Sequence, residues 1–192
     1  TVFSIDKESV AGCYELMKEQ KEMNLPPHWM PYIEVENIDE TLDKAVKLNG
    51  TILLPKTDVM NIGQMAVLQD PTGAVISLWK CIDPMGYSLG EKPGMVNWVE
   101  IGTREPEKAE EFYTKLIGWT ACTEQYPGMK YTVFSNNGQP VGGIFHMPDE
   151  MAEIPSHWLT YFSVDNCEET VTKIQENGGT IIKETALVPN MG

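Results

Sequence analysis

Residues 30–35 are rich in β-branched and aromatic side chains, the composition of a strand. Asn37 and Glu40 follow at capping-box spacing. Ile38, Leu42, Ala45, Val46 and Asn49 then keep helical spacing, with Gly50 as the expected stop. The spacing predicts strands over 51–54, 64–68 and 74–79, the last two joined by the turn Asp70-Pro71-Thr72-Gly73. The order is β, α, β, β, β. It begins again at Met95, with a strand over 96–101 and a helix opening at Pro106. Ala109, Phe112, Tyr113 and Leu116 form that helix's apolar stripe, and Gly118 ends it. Strands over 119–124, 130–135 and 140–146 complete the set, with Asn136-Asn137-Gly138 as a hairpin turn.

The pattern repeats on a longer scale. The segment from His28-Trp29-Met30-Pro31-Tyr32 matches the one from His157-Trp158-Leu159-Thr160-Tyr161 at an offset of 157 − 28 = 129. The match runs without a gap to Gly63 and Gly192, with 14 identities over 36 pairs, more than chance gives at a fixed offset. Upstream, at a two-residue shift, Thr1-Val2-Phe3-Ser4 matches Thr132-Val133-Phe134-Ser135, and Val10-Ala11-Gly12 matches Val141-Gly142-Gly143. A unit of about 130 residues is the size of a domain. The expected organisation is a first domain over 1–82, a linker over 83–94 and a second domain over 95–192. Both outer modules read as incomplete. The segment is then a fragment, or its ends complete one another in a homodimer or domain-swapped assembly.

Composition narrows the function. The net charge of −14 disfavours nucleic acid and anionic membranes and favours cationic ligands. No run approaches the roughly 20 apolar residues that span a bilayer. Cys13, Cys81, Cys122 and Cys167 show neither metal-ligand spacing nor a disulfide framework, which points to the cytoplasm.

Trp98-Val99-Glu100-Ile101-Gly102-Thr103, followed by Ala109, Phe112-Tyr113, Leu116 and Gly118-Trp119, resembles the opening of a glyoxalase-type module. Asp70-Pro71-Thr72-Gly73 with Ser77-Leu78-Trp79 resembles its closing hairpin, and Gly178-Gly179-Thr180 its helix exit. The chain thereby resembles two-domain members of the vicinal oxygen chelate superfamily, the glyoxalase/bleomycin-resistance/dioxygenase-like proteins. The resemblance implies an α+β fold of tandem βαβββ modules pairing into curved mixed sheets around a cavity. In metal-dependent members, His, Gln or Glu side chains on first and last strands hold an ion there. Those positions fall here on Trp98, Met30, Leu159 and Ser77, none an imidazole or carboxylate. No cofactor is therefore expected; the alternative is a divalent ion at a non-standard site of His146, His157 and Glu100.

Period-two alternation together with the resemblance places Met30, Tyr32 and Glu34 on the cavity face, with Leu159, Tyr161 and Ser163 as their copies, and Trp98 and Glu100 likewise. The expected ligand-binding set is Trp98, Tyr32, Glu34, Tyr161, Met30, Leu159 and Ser77, with Glu100 as catalytic acid or base. His28 and His157 read as turn or edge residues. Arg104 reads as a surface residue, or as an anion contact at a helix start. Two functions stay open. One is a glyoxalase-related lyase or isomerase acting on small oxygenated molecules. The other is a non-catalytic protein that sequesters a small, antibiotic-like ligand.

Overall fold

The computed structural model describes residues 1–22, 24–82, 90–126 and 129–187. A hairpin of β1 (Val2–Ile5) and β2 (Glu8–Gly12) leads into a short helix, α1 (Lys18–Glu22). Next come β3 (Tyr32–Glu34), α2 (Ile38–Lys47), β4 (Thr51–Val59), β5 (Gly63–Gln69) and β6 (Val75–Cys81). They build a sheet in the order β3-β6-β5-β4. The chain continues with β7 (Val96–Thr103), α3 (Pro106–Ile117), β8 (Thr120–Tyr126), β9 (Met129–Asn136) and β10 (Gln139–His146). A 3-10 turn (Asp149–Met151), β11 (His157–Phe162) and α4 (Cys167–Glu176) follow. The second sheet has the order β11-β7-β10-β9-β8.

Both sheets are mixed and share one plan. Their first and last module strands lie parallel, β3 beside β6 and β7 beside β10, and the remaining neighbours are antiparallel. A parallel pair needs a long crossover, which the intervening helix and two strands supply. The expected linker falls partly on 83–89, outside the described residues. Among the described residues no helix is long and apolar enough to cross a membrane.

The segments related by the 129-residue offset begin alike. Asn37 caps α2 by accepting from the Glu40 amide, and Asn166 caps α4 by accepting from that of Glu169. The left-handed residue after each helix is Asn49 (φ 66°) or its counterpart Gly178 (φ 83°), so Asn49 rather than Gly50 makes the turn. The segments then diverge. Residues 51–59 form β4 against β5, whereas 180–187 form no strand and pair with none among the described residues. The strand expected over 30–35 is confined to Tyr32–Glu34. Pro31 has no amide hydrogen to give a ladder; only its carbonyl joins, accepting from Ser77.

The upstream hairpins agree closely in register. Val2 pairs with Gly12 and Phe3 with Ala11, then the ladder skips Val10 so that Ser4 meets Ser9. In β9–β10, Val133 pairs with Gly143 and Phe134 with Gly142, then the ladder skips Val141 so that Ser135 meets Pro140. The turns match as well, with positive φ at Asp6 and Lys7 and at Asn137 and Gly138, as a two-residue hairpin turn requires.

One hydrophobic cluster runs through both sheets. Ile38, Leu42 and Ala45 of α2 are buried, as are Ala109, Phe112, Tyr113 and Leu116 of α3, the stripe expected from spacing. Gly50, at the end of α2, sits against the Phe112 ring. A polar chain crosses the same core. Asp70, in the turn between β5 and β6, is 3% exposed. Its Oδ1 accepts from the Thr72 amide (2.7 Å), the Thr72 hydroxyl (2.7 Å) and the Ala74 amide (3.1 Å). Its Oδ2 accepts from the Tyr113 hydroxyl (3.0 Å), which itself accepts from Trp158 Nε1 (3.2 Å).

Replacing Phe112, 2% exposed, by Ala should cost roughly 3–5 kcal/mol in urea unfolding, and a loss below about 1 kcal/mol would place that face outside the core. Asp70 gives a pH signature. Burial raises its carboxyl above the ordinary 3.8, outweighing four hydrogen bonds that lower it. The folded state then holds the proton more tightly than the unfolded one. Stability relative to Asp70→Asn should therefore rise as pH falls from above the folded value toward 3.8. Thermal unfolding of both proteins from about pH 7 to pH 4 checks the sign, and a difference that stays flat would contradict it.

Candidate functional site: a carboxylate on the open sheet face

Alternation along β7 sends Val99, Ile101 and Thr103 toward the helix-covered core and Trp98, Glu100 and Gly102 to the opposite, open face. The neighbours fix what surrounds them. Leu159 of β11 lies opposite Glu100, and Tyr161 opposite Trp98. On the other side Gly143 of β10 is level with Glu100, and Tyr131 of β9 pairs with Phe145.

Glu100 is the centre of this arrangement and is only 9% exposed. Its Oε2 accepts from the Tyr131 hydroxyl at 2.6 Å and its Oε1 from the Tyr161 hydroxyl at 2.5 Å. Trp98 Nε1 donates to the Tyr131 oxygen at 2.7 Å. Burial, reinforced by the adjacent carboxylate, pushes the Tyr131 and Tyr161 hydroxyls well above the ordinary phenol value of 10. Both therefore remain protonated donors at neutral pH. Tyr161 keeps 45% of its surface exposed, so the cluster opens to solvent along β11.

Tyr131 reaches Glu100 by crossing β10, and Gly143 makes the crossing possible. A Cβ at Gly143 would lie 2.2 Å from the Tyr131 hydroxyl oxygen and 2.5 Å from its ring. Tyr131 was not among the residues expected from sequence. Its parity in the strand was readable, but its reach across a neighbouring strand depends on a glycine that showed only as a repeat match.

The expected site residues divide between the sheets. Trp98, Glu100, Leu159 and Tyr161 come together. Tyr32, Glu34 and Ser77 lie on the four-stranded sheet, where Tyr32 pairs with Ser77 and its ring meets Trp79 edge-on at 6.0 Å. Ser77 is fully buried, and its hydroxyl has no hydrogen-bond partner among the described residues. Met30 precedes β3. His28 and His157 each bond a proline carbonyl two residues upstream at 2.8 Å, the behaviour of turn residues. Arg104, half-buried, donates to the Met151 and Ile154 carbonyls, so its guanidinium anchors the loop before β11.

Gly143→Ala should lift Tyr131 off Glu100 while leaving the fold intact. The Trp98 indole N–H resonance, assigned by its loss in Trp98→Phe, should shift in a nitrogen–proton spectrum. An unmoved resonance would show that the added methyl is accommodated.

The comparisons with known proteins agree with this architecture. Residues 95–190 match the family described as Glyoxalase/Bleomycin resistance protein/Dioxygenase superfamily. The chain is 35% identical over 169 residues to "Putative glyoxylase CFP32" of Mycobacterium tuberculosis, covering 88% of this chain and 64% of that protein. It is 29% identical over 165 residues to "Anthracycline biosynthesis protein DnrV" of Streptomyces peucetius, covering 86% of this chain and 60% of that protein. The chain thus spans less than two thirds of the length of these relatives. Among solved structures, the Mn(II)-bound glyoxalase from Novosphingobium aromaticivorans superposes with a TM-score of 0.53 at 7% identity, over 77% of this chain and 50% of that one, a likeness of fold. With half of its residues matched by the family and its sheets built on the same plan, the chain belongs to the glyoxalase/bleomycin resistance protein/dioxygenase superfamily.

Proposed function

We propose that the open face of the second sheet, in a domain spanning 95–192, is the cavity of a small-molecule enzyme of lyase or isomerase type, with Glu100 as the proton-transferring group. The carrying observation is the Glu100 carboxylate held between two phenols. A carboxylate accepts about four hydrogen bonds. Each Glu100 oxygen takes one from a tyrosine, which leaves acceptor capacity toward the open face. A C–H next to a substrate carbonyl would give its proton to that carboxylate. The electron pair would move onto the carbonyl oxygen, where a tyrosine hydroxyl donates to the developing charge. Returning the proton to another carbon completes an isomerisation. Return of that pair to break the bond between the next carbon and a leaving group, which takes the proton from the carboxyl as it departs, completes an elimination.

The fold family implies a divalent ion, and the residues at its position do not fit one. The Trp98 indole N–H is a donor and is spent on Tyr131, Leu159 offers no ligand atom, and Met30 and Ser77 belong with the other sheet. Among the described residues no three His, Cys, Asp or Glu side chains converge, which speaks against an ion held by His146, His157 and Glu100. The proposed chemistry rests on side chains alone.

A sequestering role is the second reading, favoured by the same capped carboxylate. Both carboxylate oxygens are already engaged by phenols, a geometry that can hold a ligand's donor without taking its proton. Incubation with small α-hydroxy and α-keto carbonyl compounds in deuterated water separates the two. Enzyme action should introduce deuterium beside the carbonyl, and Glu100→Gln should slow this by about a hundredfold or more. Chelator should leave both the rate and the melting temperature unchanged. Binding without exchange would select the sequestering reading. A saturable stabilisation by zinc, nickel or manganese would overturn the metal-free site.

A further inference from the structure

We infer that this face selects organic ammonium compounds, amines flanked by an aryl or alkyl group, and rejects carboxylates and phosphates of the same shape. The inference deepens the reading of the face as a ligand cavity and depends on it.

It starts from the charges on the five strands. Lys130 is their only lysine or arginine, and strand alternation puts it on the face opposite Tyr131. Glu100 and Glu124 both lie on the open face, since Glu124 pairs directly with Tyr131. The other titratable groups there are Tyr126, Tyr131, Tyr161, Cys122 and His157. None but His157 can become positive, and its Nδ1 is turned to the Pro155 carbonyl. Tyr126 donates to Glu124 at 2.8 Å, as Tyr131 and Tyr161 donate to Glu100. Each carboxylate is thus oriented by neutral phenols, and no lysine, arginine or histidine is ion-paired with either among the described residues.

A carboxylate as buried as Glu100 ordinarily has a cationic partner. Here phenols orient it and bring no positive charge, so a bound cation would complete the pair. The flanking side chains suit the same ligand, because Trp98, Tyr131 and Tyr161 are electron-rich rings of the kind that hold ammonium groups. The overall charge of −14 draws cations toward the molecule and repels anions before contact.

The test uses phenethylamine, phenylacetamide and phenylacetate as probes of similar shape carrying positive, zero and negative charge. Binding is followed by tryptophan fluorescence and by the Trp98 indole resonance. Phenethylamine should bind at least about tenfold more tightly than phenylacetate. Glu100→Gln should reduce that preference severalfold. Glu124→Gln, at an exposed position, should reduce it less and serves should the Glu100 variant fail to fold. Equal affinity for amine and carboxylate, or a preference unchanged in both variants, would overturn the charge inference and leave the cavity standing. If none of the probes moves the Trp98 signal, the cavity reading falls, and the charge inference with it.

Discussion

The fold turns on a buried chain of three side chains. Asp70 comes from a turn of the first sheet, Tyr113 from the helix over the second, and Trp158 from the strand at that sheet's edge. An uncompensated carboxylate in a core is expensive, and four hydrogen bonds make it tolerable. Three come from its own turn, so the turn must keep its shape for the fourth to reach Tyr113. The same strand that presents Trp158 to the core presents Leu159 and Tyr161 to the open face. The open face is therefore braced from behind by a residue of the other sheet.

Asp70 and Glu100 are both buried carboxylates served by phenols, yet they differ in what remains available. Asp70 is saturated by four partners and 3% exposed, the state of a structural group. Glu100 has two, at the border of a face that carries no lysine or arginine among the described residues. The role proposed for Glu100 draws on this difference in acceptor capacity more than on the difference in burial.

Much of the architecture was legible because it rests on short-range pattern. The α3 stripe, the asparagine caps and the hairpin turns each follow from a few neighbouring residues. Element ends were less legible where pairing decides them, as at β3, shortened beside Pro31, and at 180–187, which has sequence in common with β4 but no partner strand among the described residues. Of the candidate site, the shared face of Glu100, Trp98, Leu159 and Tyr161 was readable from parity and repeat together with the family resemblance. Tyr131 was not, because its position depends on three strands and one missing side chain. Nor could parity show that Tyr32, Glu34 and Ser77 belong to a different sheet from Glu100. The Asp70–Tyr113–Trp158 chain was invisible for the same reason: a turn aspartate looks alike whether it caps a turn or also bridges two sheets.

The β1–β2 hairpin has the ladder of β9–β10, bulge included, without its surroundings. β9 and β10 sit between β8 and β7, whereas β1 and β2 pair only with each other among the described residues, and Val2 and Phe3 are about half exposed. Two strands alone are marginal in water. One backbone pattern thus occurs twice in this molecule at two different local stabilities. Amide hydrogens of the first copy would exchange with solvent by local opening at low free energy, while those of the second would await much deeper unfolding. A protease sampling the native state would meet the first copy long before the second.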